Sequence, residues 1–434
     1  MSFNFVEFLK SLVSLNVAEY LKTVIGDQAW VNFVSDLLGV VIISTFCLLI
    51  VIFLIWLERK VIARIQDRIG PNRVGGRYGL LQTVADVMKL LVKEDITPAG
   101  ADKLAYWLAP FLTVIAALLI WAVMPFAPGV IGVDLDIGVF YVLAVSSASV
   151  VALLLAGWGS NNKYALLGAF RSVAQLVSYE VPMILALLVP ILLARSMSTV
   201  DIVNAQTVPY IFVVPLAAVI FMISALAETG RTPFDLLEAE SEIVSGFHVE
   251  YGGMKFGMFF LAEFVSTLFM SGFFTTIFLG GYRFFGLENL VIGDGWVVGR
   301  LLGLVIFFVK MFAVYFVFIW IRGTWPRVRV DQILNFNWKF LVPLSLVLIL
   351  MIAVLDKVIP ADASLFMRSA ILLLSNLFLA MIAIEIMRVV ARRKRKESSD
   401  KAAFGKAALA VDEQVHEDVH TAHSPHHEVA AATH

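Results

Sequence analysis

VSDLLGVVIISTFCLLIVIFLIWLERKVIARIQDRIGPNR, from Val34 to Arg73, changes character at one point. Residues 34–57 carry no charge apart from Asp36, and from Glu58 onward charge appears at Glu58, Arg59, Lys60, Arg64, Asp67, Arg68 and Arg73. At about 1.5 Å rise per residue, a helix over 34–57 spans the roughly 30 Å of bilayer hydrocarbon. A block of that length followed at once by basic residues is a transmembrane helix leaving the membrane on its cytoplasmic side. The rest of the chain repeats the pattern. Of 434 residues, 60% are hydrophobic and 15% charged, with a mean hydropathy of +0.88. A soluble domain is nearer half apolar and a quarter charged. A transmembrane β-barrel would show short alternating segments instead.

The expected fold class is an all-α polytopic membrane protein: eight core transmembrane helices, a ninth, and an interfacial amphipathic helix. Spans are expected at 34–57, 104–126, 137–157, 172–195, 208–228, 255–280, 299–322, 339–359 and 364–388. Residues 1–33 read as an N-terminal segment and not as a cleavable signal or transit peptide. Residues 34–359 form the core membrane domain, with loops at 58–103, 158–171, 229–255 and 322–339. The extra helix is 364–388, and 389–434 reads as a disordered tail, basic and then His-rich. Lys and Arg set the orientation. The four loops and the segment from Arg388 onward carry 25 of them, and the opposite set of segments carries 5. The N-terminus is therefore expected outside and the C-terminus in the cytoplasm.

One cysteine, Cys47, excludes an internal disulfide and a Cys-ligated iron–sulfur or zinc site. Six of the seven histidines lie beyond residue 415 and the seventh is His248, so no helical pair exists to hold a haem. The chain is expected to carry no redox centre and no metal of its own. The lipid bilayer is its expected surrounding, and no nucleic-acid partner is expected.

Carboxylates are the unusual feature. AETGRTPFDLLEAESEIVSGFHVEY, Ala227 to Tyr251, holds Glu228, Asp235, Glu238, Glu240, Glu242 and Glu250, with Arg231 as its only arginine or lysine. Glu180 lies nine residues beyond Arg171, about 13 Å along a helix, and Glu263 lies eight beyond Lys255, about 12 Å. The two are expected to reach similar depth from one side. A carboxylate at such depth costs about 2.5–3.5 kcal/mol on insertion scales, so it is paired, protonated or hydrated. Closely spaced carboxylates in a poorly hydrated site cannot all ionise, and such a set holds protons loosely. Lys310, near the middle of the seventh span, is a candidate counter-charge. The plainer alternative for the loop is an acidic docking surface for a basic partner. Between residues 79 and 93, Leu80, Leu81, Val84, Val87, Met88, Leu91 and Val92 recur at helical spacing opposite Gln82, Asp86, Lys89 and Lys93. Such a helix is either an interfacial anchor or a portal for a lipophilic substrate.

The stretches ERKVIARIQDRIGPNRVG, GLLQTVADVMKL, SNNKYALLGAFRSVAQLVSYE, AETGRTPFDLLEAESEIVSGFHVEYGGMKF, FLAEF and PRVRVDQ with NWK beyond it resemble the H subunit of bacterial NADH:quinone oxidoreductase, respiratory complex I. The likeness covers about residues 34–359. It implies a subunit at the joint between the peripheral redox arm and the membrane arm, with quinone as substrate and with iron–sulfur clusters and FMN confined to partner subunits. Implied partners are the other membrane-arm subunits and the peripheral iron–sulfur and quinone-site subunits. The implied place is the bacterial cytoplasmic (inner) membrane. Residue by residue, the resemblance implies that Glu58, Arg59, Arg68, Asp86, Val87, Lys89 and Arg231 shape the quinone chamber and its approach. It implies that Glu180, Glu228 and Glu263, with Asp235, Glu238, Glu240, Glu242 and Glu250 of the acidic loop, couple protons. Arg171, Arg327 and Arg329 are implied as supporting charges. Val330 and Phe264 stand where the family usually has tyrosine, and neither is expected to touch a carboxylate. The related subunit of a membrane-bound hydrogenase is the nearest alternative. A proton-coupled transporter is a distant one, since it would show internal repeats.

The charge pattern makes a direct prediction about topology. A cysteine at Ser2 will be labelled by an impermeant thiol reagent only from outside, and one at Ser398 only from the cytoplasm; labelling of both from one side would refute the nine-span assignment.

Overall fold

The structure is a computed structural model that describes residues 29–235, 246–284, 296–360 and 364–422. The described residues form helices and turns without a strand, and one antiparallel bridge joins Ala127 to Val130. In chain order the helices are α1 (Ala29–Ile65), α2 (Gln82–Val92), α3 (Lys103–Leu119), α4 (Gly138–Gly159), α5 (Lys163–Ala194), α6 (Thr199–Ala205), α7 (Tyr210–Val213), α8 (Pro215–Glu228), α9 (Gly253–Phe278), α10 (Trp296–Thr324), α11 (Val330–Phe336), α12 (Val342–Val358) and α13 (Leu365–Ala422). The chain divides into two units, one ending at Asn376 and the other beginning at Leu377.

Eight helical stretches among the described residues are long and apolar enough to cross a membrane. Eight of the nine expected spans fall within them, with shifted ends. α1 continues past Leu57, so Glu58 and Arg59 ride on the same rod as the span.

The segment expected at 208–228 departs from the expectation. It is broken at Val214, which leaves the helical region at φ −130° and ψ 63°, and α8 restarts at Pro215. Proline has no N–H to continue the ladder of α7. α8 has 14 residues, roughly 21 Å, which is short of a full crossing. The apolar run continues through the break, so hydropathy alone cannot reveal it. Ala217, Ala218, Ile220, Phe221 and Ser224 of α8 are buried, and the helix packs on α5 and α9. Irregular backbone at membrane depth is stable where protein surrounds it. The broken segment still joins opposite ends of the bundle. Before it, Arg195 lies 3.7 Å from Asp356 at the end of α12; after it, Arg231 meets Glu58 at the far end of α1.

α13 continues as helix through residues 389–422. They contain no proline and are rich in Ala, Lys, Arg and Glu, which are strong helix formers, and the next proline is Pro425.

α9 is the hub of the first unit. Its spanning window is 61% buried, against 17% for α1, and it packs on α1, α2, α3, α8 and α10. Phe269, Phe273, Phe274 and Phe278 of α9 pack with Trp121 and Phe221. Lys255 near its start is buried, 2.8 Å from Asp95, with its ammonium 3.7 Å from the Trp107 ring centroid. This latch ties the segment after α2 to α3 and α9. The bend before α2 is equally tight. Gly79 has φ +65°, and a Cβ there would lie 2.4 Å from the Pro71 carbonyl oxygen.

The turn Gly246–His248 rests on α5 at another glycine. A Cβ on Gly168 would lie 2.6 Å from the Gly246 carbonyl carbon. Gly168→Ala must therefore push this turn off α5. The expected cost is about 1–3 kcal/mol, read as a lower midpoint of thermal unfolding in detergent; an unchanged midpoint would show that the turn is not held there.

Candidate functional site

α8 ends at Glu228, and the next residues fold back sharply. The Thr229 hydroxyl donates to the Ala225 carbonyl at 3.1 Å, and Gly230 takes φ +63°. Gln175, buried on α5, donates from Nε2 to the carbonyls of both Ala227 and Phe234 at 2.8 Å each. That staple fixes the turn and aims Arg231 inward.

Arg231 is 3% exposed. Its Nη1 donates to both oxygens of Glu58 at 2.7 and 2.6 Å, and its Nε lies 3.0 Å from Glu263 Oε1. Arg322 of α10 also bonds Glu58, and the Tyr315 hydroxyl approaches the same carboxylate at 3.4 Å. The Phe264 ring lies 4.3 Å from the guanidinium carbon. Guanidinium groups of Arg231 and Arg322 thus face carboxylates of Glu58 and Glu263 in a charge-balanced cluster whose centre, Arg231 and Glu58, is buried. Burial alone would favour neutral Arg231, but Glu58 and Glu263 outweigh it and push its pKa up.

A cavity lies on each side of this cluster. One, of about 420 Å³, is lined by Glu58, Arg59, Arg68, Arg322 and the faces of Phe260 and Phe264. It falls within the roughly 300–1,000 Å³ of ordinary small-molecule sites. The other, of about 100 Å³, is lined by Glu228, Glu263, His248 and the hydroxyl residues Thr113, Ser149, Thr229 and Ser266. It has room for several waters, which need roughly 10–15 Å³ each by this measure. Glu58 opens on the first cavity and Glu263 on the second, and Arg231 holds both.

Glu180 does not line either cavity. It reaches Glu228 instead, within Coulombic range, from α5. Glu180 Oε1 and Glu228 Oε2 are both buried with no hydrogen-bond partner among the described residues. Glu180 and Glu263, expected at similar depth from one side, are both neighbours of Glu228, the first by charge and the second across the cavity.

Other expected residues distribute more widely. Arg59 lies 2.5 Å from Asp86 of α2, and Lys89 lies 3.8 Å from the same carboxylate. Val87 is partly buried, while Val84, Met88, Leu91 and Val92 are exposed. Glu250 accepts from Asn162 at 2.7 Å, and its backbone carbonyl accepts from Tyr106, so it latches two loops. Arg327 and Arg329 are exposed on a loop whose Val328 N–H donates to the Pro233 carbonyl at 3.1 Å. Arg171 lies near the start of α5, and Asp235 follows the Arg231 turn. Glu238, Glu240 and Glu242 lie outside the described residues.

Lys310, the candidate counter-charge, addresses backbone carbonyls among the described residues. Its ammonium donates to the carbonyls of Leu279 at 2.7 Å, Gly281 at 3.1 Å and also Arg283, just past the end of α9. Three donors on one ammonium satisfy backbone oxygens that the ending helix leaves bare. Phe264 packs on the arginine that holds two of the carboxylates. Sequence reasoning missed Arg322, Tyr315 and His248. Arg322 sits at a helix end among basic residues and reads there as an orientation signal.

A family model described as NADH dehydrogenase matches residues 38–353. The chain is 49% identical over 311 residues to the H subunit of NADH-quinone oxidoreductase from Dehalococcoides mccartyi, covering 71% of this chain and 84% of that one. The protein of the same name from Geobacillus kaustophilus is 51% identical over 298 residues, 68% and 86% of the two chains. That of Bacillus mycoides is 44% identical over 332 residues, 76% and 96%.

Removing one partner of a buried ion pair costs about 3–5 kcal/mol, because the other charge stays buried. Arg231→Met is expected to lose stability on that scale in thermal unfolding. Arg231→Lys should recover part of it, since an ammonium keeps the charge but not the two-sided fork. Adding Glu58→Gln to Arg231→Met should cost less than the sum of the single changes. Strict additivity would mean that the pair is not coupled.

Proposed function

Because this chain belongs to the NADH dehydrogenase family, we propose that it works as the H-type membrane subunit of a proton-translocating NADH-quinone oxidoreductase, with the cavity beside Glu58 receiving the quinone head and the cavity beside Glu228 receiving protons. The observation that carries this reading is Arg231, which grips a carboxylate from each cavity at once.

Electrons reach the quinone from iron–sulfur and flavin centres in partner subunits. Reduction places negative charge on the quinone oxygens, and protons must follow. Arg59, Arg68 and Arg322 line the receiving cavity and favour that charge through charge-assisted hydrogen bonds. Any shift of Arg322 or Arg231 toward the reduced head weakens their hold on Glu58. The Arg231 balance between Glu58 and Glu263 then changes. A unit charge about 4 Å away is worth about 4 kcal/mol at an effective dielectric near 20, enough to switch a carboxylate between protonation states. Glu263 hands the change to Glu228 across the second cavity, and Glu228 hands it to Glu180.

The exposed apolar side of α2, with Val84, Met88, Leu91 and Val92, supports a portal at the lipid boundary, gated by the Arg59–Asp86 pair. The charge asymmetry supports an N-terminus outside and a C-terminus in the cytoplasm, in the bacterial inner membrane. The exposed Arg327 and Arg329 then face the peripheral subunits.

Glu228→Gln keeps size and hydrogen bonding but removes titration. In the assembled complex in vesicles it is expected to depress NADH:quinone turnover and to depress proton translocation at least as much, because a blocked proton route brakes electron flow. Wild-type values for both would remove Glu228 from the mechanism.

A further inference from the structure

Among the described residues, His248 is the only titratable side chain in the Glu228 cavity besides the two carboxylates. The turn that carries it is firmly seated. Phe247 packs into the aromatic cluster of Tyr106, Tyr251 and Phe259, and Gly168 of α5 lies against Gly246. The imidazole itself is flanked by the Phe247 and Phe256 rings, with centroids 5.0 and 5.2 Å away. The imidazole lines the same cavity as Glu228 of α8 and Glu263 of α9, together with the hydroxyl residues Thr113, Ser149, Thr229 and Ser266; on its own segment Glu250 is turned to Asn162.

The carboxylates need an intermediary. Glu263 is held 3.0 Å from Arg231, so its carboxylate is not at liberty to swing toward Glu228. Glu228, the last residue of α8, is fixed by the stapled turn that follows it. We propose that His248 is a proton-relay residue between Glu263 and Glu228. This rests on the proton route proposed above.

The step balances without electrons. A proton leaves Glu263 for the bare ring nitrogen of His248 as the proton on the other nitrogen leaves for Glu228. Glu263 has lost one proton, Glu228 has gained one, and the imidazole has exchanged tautomers. Exchange with cavity water resets the ring. Burial pushes the imidazole pKa down to about 4, so at neutral pH it is uncharged and holds one donor and one acceptor. A standing imidazolium would have no acceptor to offer.

The test uses the assembled complex in vesicles, with His248→Ala and His248→Gln beside Glu228→Gln. Both His248 variants should pass electrons to a hydrophilic acceptor normally and lose about tenfold or more in quinone-linked proton translocation. Added imidazole should restore His248→Ala in proportion to its free-base concentration, and should not restore His248→Gln, whose side chain fills the space. Wild-type translocation in either variant would overturn the proposal in favour of water alone. Loss without imidazole rescue, or failure of both variants to assemble, would overturn it in favour of packing. If Glu228→Gln is impaired while the His248 variants are not, only the relay fails. If Glu228→Gln is itself normal, the underlying route fails.

Discussion

A guanidinium between two carboxylates, with Arg231 and Glu58 withdrawn from water and Glu263 at a cavity, governs this site. Desolvating such charges costs several kcal/mol per ion, and only close pairing offsets it. Arg231 therefore has one tolerable position, and its neighbours are arranged around that position. Gln175 staples the turn, Gly230 supplies the reversal, and α1 and α10 deliver Glu58 and Arg322 on rigid rods. Phe264 closes the remaining face of the cation. A cluster held this way is stable only while its charges balance, so a charge arriving at either cavity is felt at the other.

Much of the bundle was legible from hydropathy, because lipid demands long apolar helices and the chain supplies them in plain blocks. The family was legible in the loops, whose motifs are long and unusual. The break at Val214 was not, since the side chains on both sides of it stay apolar while only the backbone departs. The helical course of 389–422 was not legible either, because a polar, charged segment can be tail or helix.

In the site, the residue types were legible and their pairings were not. Arg231 and Glu58 are 173 positions apart, and Arg322 and Glu58 are 264 apart. No local spacing announces such contacts. Lys310 shows the same limit: its depth in a span suggested a counter-charge, and nothing in the sequence announced the carbonyls past α9 to which it donates. His248 carried no signal at all, as a single histidine fits no ligand pattern. Only the fold puts it in one cavity with Glu228 and Glu263.

α9 carries Glu263 and is pinned near both ends, by Lys255 to Asp95 at its start and by Lys310 to the carbonyls just past its finish. A rod fastened twice does not slide like a piston. Under the coupling proposed above, charge is redistributed through a stationary frame rather than by a sliding helix. Stretching or thinning the surrounding bilayer would tilt the outer helices before it disturbed the spacing of Glu58, Arg231 and Glu263, and coupling should be largely indifferent to membrane thickness.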